Sequence, residues 1–308
     1  LFLVLRFRKM VLIGEQPSTL LAFTAILFTS GLDVGLILFP LTEFPTYEAE
    51  KVYSFANPLA IEFGFWGFLV WGFYFLTTFY FCVVEPRLKL FEIGWVKLIN
   101  NLVIIATCAF TGFLFFSYLP DYIIDVPEYL RYLLVAAVVL IAVLSSTDIR
   151  FVIWLSLGSF LLFCALIIAM LFYSEFGLNQ MAASGQYLSE YFLNLHRFVS
   201  PLSDYHAFYL FWWFAWSIMI GQFTARFVGG LRTYQVFLAM LIFPSIPIAI
   251  WFVGLYYYHL NELNIAAWLN ALMVGVGILF VVNSLDSLIR LYTDNLNFTV
   301  TRLGLAPY

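Results

Sequence analysis

Two stretches of the chain place tryptophans where their rings could bind a cation. Trp212, Trp213 and Trp216 lie within five positions of the apolar run YLFWWFAWSIMIG, and Trp66 and Trp71 lie in FWGFLVWGFY. Indole faces attract cations, and aromatic cages bind quaternary ammonium groups. Interfacial tryptophan belts lie near span ends, whereas Trp71 and Trp216 are half-way along their apolar runs. Ordinary aromatic packing is the alternative, because 21% of the chain is aromatic.

Polar side chains at membrane depth form the second group of candidates. Asp33 lies mid-span between Gly31 and Gly35, and glycine weakens a helix. A glycine-flanked acid at this depth indicates an unwound helix whose carbonyls line an ion site; a packing notch with a hydrogen-bonded Asp33 is the alternative. Glu62, near the outer end of its span, is expected to be interfacial.

A further polar group lies in one helical turn of the last apolar run. It comprises Asn283, Ser284, Asp286 and Ser287. Side-chain oxygens at this density suit a small hard cation. They equally suit hydrogen bonds between helices, and the sequence leaves both interpretations open.

The composition predicts an all-α polytopic membrane protein. Apolar residues make up 64% of the chain and charged residues 10%, whereas a soluble domain carries about 25% charged residues. Apolar runs of at least 18 residues recur, without the alternation of a membrane β-barrel. About eight spans are predicted, at 18–41, 58–84, 97–119, 127–145, 149–173, 205–230, 231–258 and 266–294.

The positions of the basic residues orient these spans. With the start of the chain in the cytoplasm, eleven of the fourteen Lys and Arg residues lie on the cytoplasmic side, as the positive-inside rule requires. Between the fifth and sixth spans, Leu188, Tyr191, Phe192 and Leu195 recur at helical spacing and predict an amphipathic surface helix. No basic stretch suits nucleic acid, and no nucleophile–base pair or metal cluster indicates an enzyme.

Four stretches in the correct order resemble the motifs of the betaine/choline/carnitine transporter family. Residues 211–226 resemble its tryptophan signature, approximately W-A-W-W-I-S-W-S-P-F-V-G-x-F-x-A-R, and residues 65–74 resemble H-W-G-x-x-x-W-x-x-Y with the spacing preserved. Residues 31–36 are similar to the glycine stretch G-M-G-I-G-L, with Glu43 following for the family's acid. Residues 283–287 are similar to T-S-A-D-S.

The resemblance implies a leucine-transporter-like fold of two inverted five-helix repeats in a single transmembrane domain, 1–308. Residues 1–173 would hold the end of a preceding helix and the first repeat, 174–204 a surface amphipathic linker, and 205–308 the first three helices of the second repeat. We expect a fragment of a longer carrier that forms a homotrimer in a bacterial-type inner or plasma membrane.

The family's site residues carry over position by position. The resemblance implies an aromatic substrate site at Trp66, Trp71, Tyr74, Trp212, Trp213, Trp216 and Phe223. It implies an ion-coupling site, for Na+ or H+, at Thr29, Leu32, Asp33, Phe280, Asn283 and Ser284. No other cofactor is expected.

Four departures from the family pattern bear on the coupling ion. Ile218 replaces the signature proline, Phe65 the histidine, Asn283 the threonine and Asp33 a glycine. Asp33 would be either a proton carrier or a fixed counter-charge for a cationic solute. Both roles favour choline over zwitterionic betaine, whose carboxylate an adjacent Asp would repel.

The resulting prediction is an ion-coupled secondary transporter of quaternary-ammonium solutes (choline, betaine or carnitine-like) or sulfonium solutes. It would work by alternating access around the aromatic site. The alternative is a non-transporting membrane subunit or sensor that keeps the fold without ion coupling.

Overall fold

The chain folds almost entirely into helices. The computed structural model describes residues 2–15, 19–31, 35–122, 127–173, 177–305 and 308. Within these ranges β-structure is limited to isolated bridges, such as the antiparallel bridge between Val11 and Arg232. The α-helices are α1 (Phe2–Phe7), α2 (Leu20–Ser30), α3 (Gly35–Leu38), α4 (Pro40–Ala49), α5 (Pro58–Trp66), α6 (Phe68–Phe79), α7 (Glu85–Leu88), α8 (Gly94–Tyr122), α9 (Glu128–Ser146), α10 (Ile149–Tyr173), α11 (Leu178–Gly185), α12 (Ser189–Leu193), α13 (Asp204–Thr224), α14 (Thr233–Leu260), α15 (Ala267–Leu296) and α16 (Val300–Leu303).

Six helical segments of the described chain are long and apolar enough to cross a bilayer, which confirms an all-α membrane protein. They are Pro58–Leu88, Gly94–Pro120, Glu128–Ser146, Ile149–Tyr173, Thr233–Leu260 and Ala267–Leu296. The tryptophan-rich α13 has 21 residues but is not among the six, because its aromatic and polar side chains lower its mean hydropathy. The predicted first span includes 32–34, which lie outside the described residues.

Side-chain caps fix the starts of α5 and α13, two of the three helices that carry the aromatic candidates. The Asn57 side chain accepts a hydrogen bond from the Ala60 N–H at 3.0 Å, with Pro58 as the first residue of α5. The Ser203 hydroxyl accepts one from the His206 N–H at 3.0 Å at the start of α13. Such caps satisfy N–H groups that have no partner within the helix. The register of both helices is therefore set locally.

A helix break at Gly67 separates the two tryptophans of the second predicted span. Gly67 has φ −88° and ψ −143°, and its N–H donates to the Phe63 carbonyl at 2.7 Å. A Cβ at this position would lie 2.5 Å from that carbonyl oxygen, so the close approach requires glycine. Trp66 ends α5 and Trp71 lies in α6, where the sequence predicted one continuous span.

The linker before α13 differs from the single amphipathic helix that was predicted. It forms the short helices α11 and α12, separated by a 3-10 turn. Tyr191 is fully buried and its ring contacts Phe63 at 5.1 Å, whereas Phe192 and Leu195 are exposed. The aromatic residue at the centre of the pattern therefore anchors the linker to α5.

Among the six long apolar segments, α15 is the most enclosed, and it packs against α8, α9, α10 and α2. Helix α13 packs against α6, and α14 packs against α2, α5 and α6. The outer faces of α8, α9 and α10 expose apolar side chains such as Trp154 and Phe172, as expected of surfaces that face lipid. This arrangement brings the aromatic residues of α5, α6 and α13 together in the interior.

Candidate binding site

Trp66 and Trp213 form a direct ring contact between α5 and α13. Their centroids are 4.9 Å apart and their planes are inclined at 70°. The Tyr209 ring contacts both, at 5.8 Å from Trp66 and 6.2 Å from Trp213. Edge-to-face geometry of this kind is favourable for aromatic pairs. The structure therefore brings together one residue from each of the two predicted aromatic motifs.

Trp71 and Tyr74 form a second ring pair, which packs on the end of α2. Their centroids are 5.3 Å apart and their planes are inclined at 80°. The Tyr74 hydroxyl donates to the Gly31 carbonyl at 3.2 Å. A Cβ on Gly31 would meet the Tyr74 ring at 3.1 Å and the Trp71 ring at 3.6 Å. The aromatic pair thus contacts the start of the glycine stretch, whose Leu32 and Asp33 lie outside the described residues.

Four buried tryptophans of this region have indole N–H groups without a hydrogen-bond partner among the described residues. They are Trp66, Trp71, Trp213 and Trp216, each at most 3% exposed. Buried polar groups are nearly always hydrogen-bonded, and an exception in a folded protein requires an explanation. We call these four residues and Tyr74 the aromatic box. Its ring faces can attract a cation, and its indole N–H groups can donate to a ligand oxygen or to water.

Two other predicted aromatic residues lie beside the box and pack elsewhere. The Trp212 ring contacts Phe110 of α8 at 5.0 Å and Trp216 at 5.9 Å. Phe223 packs on Phe227 at 5.0 Å, near the end of α13. Both are buried. Trp212 therefore supports the box through Trp216, and Phe223 lies two turns further along the helix.

Hydroxyl hydrogen bonds fix α6 against α13. The Thr77 hydroxyl donates to the Ser217 carbonyl at 2.6 Å, and the hydroxyls of Thr78 and Thr224 are 2.7 Å apart. Gly221 permits this contact, since a Cβ there would lie 2.6 Å from Thr77. The two helices that carry most of the box are thus held at close range.

The Asn283 side chain bonds to α10 and not to α2. Its carbonyl oxygen accepts from the Ser156 hydroxyl at 3.1 Å, and its amide donates to the Ser159 hydroxyl at 2.8 Å and to the Leu279 carbonyl at 2.7 Å. All three polar side chains are fully buried. The structure therefore gives Asn283 a role in joining α10 to α15.

Asp286 lies one turn further along α15, within a cluster of serines. Its carboxylate accepts from the Ser145 hydroxyl of α9 at 2.6 Å and from the Ser287 hydroxyl at 3.1 Å. The Ser287 and Ser30 hydroxyls are 2.8 Å apart and link α15 to α2. Asn283, Asp286 and the serines bonded to them are referred to below as the α15 polar cluster.

The other predicted ion-site residues are buried near this cluster. The Thr29 hydroxyl donates to the Ala25 carbonyl of its own helix at 3.0 Å, and Phe280 packs on Phe28 and Phe163. Ser284 is fully buried. The link from α2 to α15 runs instead through Ser30, which the sequence analysis missed although it directly follows Thr29.

Sequence analysis also missed a set of tyrosines that surround Glu43. The Glu43 carboxylate accepts hydrogen bonds from Tyr47 at 3.0 Å, from Tyr209 at 2.8 Å and from Tyr205. Three hydroxyl donors thus converge on one carboxyl group. Tyr47 lies four residues after Glu43, and this helical spacing was the one signal of the cluster in the local sequence. Tyr205 and Tyr209 are 162 and 166 residues away, so only the fold reveals their part.

Glu62 is enclosed in the protein interior. Its side chain has no exposed surface, and its carboxyl lies beside Glu43, Tyr47 and the Trp66 indole. Neither of its oxygens makes a hydrogen bond of normal geometry within the described chain. Glu62 precedes Trp66 by one helical turn, so it lies on the same face of α5. The sequence predicted that Glu62 is interfacial and did not predict that the protein encloses it.

An exposed carboxyl between α9 and α10 shows the contrasting environment. Hydrogen bonds from Arg150, the shortest 2.6 Å from its terminal nitrogen, lower the pKa of Asp148 to about 2. Asp148 therefore remains charged at all physiological pH values. Glu43 and Glu62 form no such ion pair within the described chain.

Comparison of the chain with protein-family models and with curated protein sequences gives no match in either case.

Proposed function

We propose that this protein is a secondary transporter of quaternary-ammonium or sulfonium solutes, which bind in the aromatic box. The supporting observation is the set of four buried tryptophans from α5, α6 and α13 whose indole N–H groups have no partner among the described residues. An apolar core would bury phenylalanine or leucine at these positions without leaving donors unpaired. A cation held against the indole faces, with an oxygen or water on the N–H groups, explains both the rings and the donors.

Alternating access in this proposal requires the box to open. The rings of Trp66 and Trp213 touch, so a trimethylammonium group enters only if α13 moves relative to α5. The break at Gly67 places Trp66 and Trp71 on separate helices, which can move independently. The inverted five-plus-five repeat, the eight spans with a cytoplasmic start, the homotrimer and the bacterial-type membrane belong to the same proposal through the resemblance to the betaine/choline/carnitine transporters.

The proposed solute is a net cation such as choline in preference to betaine. Glu62 lies beside Trp66, and Asp33 follows the Gly31 carbonyl that Tyr74 contacts. A carboxylate beside the box repels the carboxylate of a zwitterion and attracts a simple cation. The coupling ion is proposed to be H+ or Na+.

Uptake into proteoliposomes tests the function. The full-length protein is reconstituted and labelled choline and betaine are supplied with a Na+ gradient, with pH gradients of either direction, and with none. We expect gradient-dependent accumulation of choline above that of betaine. If no gradient drives accumulation of either solute, the transporter proposal fails.

The alternative is a non-transporting membrane subunit or sensor, and one observation favours it. Asn283, which replaces the family's threonine, is fully committed to Ser156, Ser159 and Leu279. A protein of this kind binds choline in the box without moving it. Saturable choline binding without uptake under any gradient would identify this second function.

A further inference from the structure

Two buried carboxyl groups lie side by side next to the aromatic box. Glu62 on α5 is fully buried, and Glu43 on α4 is 6% exposed. The Glu62 carboxyl lies beside the Glu43 carboxyl and faces the Trp66 indole, whose own N–H has no partner of normal geometry. Within the described chain neither carboxyl forms an ion pair with Lys, Arg or His. The pair is therefore not charge-compensated by a described residue.

The surroundings assign different roles to the two carboxyls. Two adjacent carboxylates in a low-dielectric interior cannot both be ionised, so one of them holds a proton. Glu43 accepts three tyrosine hydroxyls, from Tyr47, Tyr205 and Tyr209. No hydrogen bond of normal geometry reaches Glu62, although the Tyr47 hydroxyl and the Trp66 indole lie beside it. The shared proton therefore belongs on Glu62.

The pair has a route to water. A cleft of about 290 Å³ reaches Glu43 and Tyr205. Its other lining residues include Thr42, Thr46 and Glu50, and Glu50 is exposed. A proton leaving Glu62 can thus pass to Glu43 and on to the cleft.

The pair is also one side chain away from the box. Tyr209 donates its hydroxyl to Glu43, and its ring contacts both Trp66 and Trp213. A cation bound among these rings stabilises a second negative charge on the pair. Solute and proton therefore compete, because each one compensates the same charge.

Six other titratable side chains lie on the segments around α5, and none of the six is a Lys or an Arg. They are Tyr53, Tyr187, Glu190, Tyr191, His206 and Tyr258. Glu190 accepts the Asn57 N–H at the start of α5, and His206 accepts the Leu202 N–H. These two groups are thus committed to backbone partners away from the pair.

We propose, on the basis of the function above, that Glu43 and Glu62 form a proton site that exchanges its proton for the cationic solute. Binding of the solute breaks the Glu62 O–H bond, the electron pair stays on the carboxylate, and the proton leaves through Glu43 to the cleft. One positive charge enters and one leaves. The protein would then exchange protons for solute. A pH gradient would therefore drive the solute in the direction opposite to the proton flow.

The solute-free protein provides the first test. Infrared spectroscopy at neutral pH detects the carbonyl stretch of protonated carboxyl groups. We expect Glu62→Gln to remove the intensity of one such group, and Glu48→Gln to remove none, because Glu48 is exposed and bonded to His259. Equal spectra for Glu62→Gln and the wild type would overturn the proton site, whatever the solute.

Choline titration provides the second test. Calorimetry in buffers of different ionisation enthalpy counts the protons released on binding. We expect about one proton per choline in the wild type and in Glu48→Gln, with the affinity rising about tenfold per pH unit. We expect no released proton and a flat pH dependence in Glu62→Gln.

The outcomes separate the two proposals. If the wild type binds choline without releasing a proton, the exchange is overturned and the transport proposal stands. The same holds if proton release survives in Glu62→Gln and is lost in Asp33→Asn. Absence of choline binding, with the infrared signal of Glu62 present, contradicts the solute proposal and the exchange but keeps the protonated pair.

Discussion

The aromatic box and the α15 polar cluster are both fully buried, yet they differ in how their polar atoms are satisfied. In the α15 polar cluster, Asn283 and Asp286 each have two or more hydrogen-bond partners on neighbouring residues. In the box, four indole N–H groups have no partner among the described residues. Both regions were candidate sites by residue type. The hydrogen-bond pattern shows that the α15 polar cluster joins helices, whereas the box retains indole donors that the proposed solute site would use.

This difference predicts that the two regions respond differently to substitution. Changes in a satisfied network reduce the free energy of unfolding, because they leave buried partners unpaired. Changes in the box reduce solute affinity under the proposed function, and replacing one of its buried rings by alanine also leaves a cavity that lowers the free energy of unfolding. The following experiments separate these effects.

The largest effect is expected from Asp286→Ala. The change leaves the Ser145 hydroxyl without its acceptor, and it removes one of the two partners of the Ser287 hydroxyl, which also bonds to Ser30. Each stranded buried group costs about 1–3 kcal/mol, so we expect a loss of about 3 kcal/mol in the free energy of unfolding. Thermal unfolding in detergent measures it. A fall in choline affinity without a fall in stability would reverse the assignment of this cluster.

A somewhat smaller effect on choline affinity is expected from Trp213→Ala. Loss of one desolvated indole face costs a bound cation about 2 kcal/mol, or roughly a 30-fold weaker choline affinity. Trp154→Ala is the matched control, because Trp154 is 68% exposed on α10 and lies outside the box. Equal choline affinities in the two variants would show that the box does not bind the solute.

The smallest effect is expected from Tyr74→Phe. This change removes the 3.2 Å hydrogen bond to the Gly31 carbonyl and keeps the ring against Trp71. We expect about 1 kcal/mol, or roughly fivefold, in choline affinity, because the ring remains and only its positioning is loosened. Competition binding with labelled choline measures this. A loss as large as that of Trp213→Ala would indicate that the Tyr74 hydroxyl contacts the solute itself.

The sequence predicted the parts of the molecule that depend on local pattern. Hydropathy predicted the long helices to within a few residues, with α10 (149–173) identical to its prediction, because a membrane span needs a continuous apolar run. The spacing of Trp66 and Trp71 selected the helices that form the box. Residue types alone thus identified this region as a candidate binding site.

Features that depend on packing between distant segments were not predictable. The helix break at Gly67 depends on a close backbone approach that a single glycine does not signal. The meeting of Glu43, Glu62 and Tyr209 brings together α4, α5 and α13, and no local pattern encodes it. The bonds that join Asn283 to serines on α10 were not predictable either, because those serines lie more than 120 residues away.

The most direct test of the central claim is a calorimetric titration of the purified full-length protein with choline, in parallel for the wild type, Trp213→Ala and Trp154→Ala. The account predicts saturable binding of one choline per chain in the wild type and Trp154→Ala, and binding roughly 30-fold weaker in Trp213→Ala. Absence of choline binding to the wild type, or equal binding by all three proteins, would contradict it.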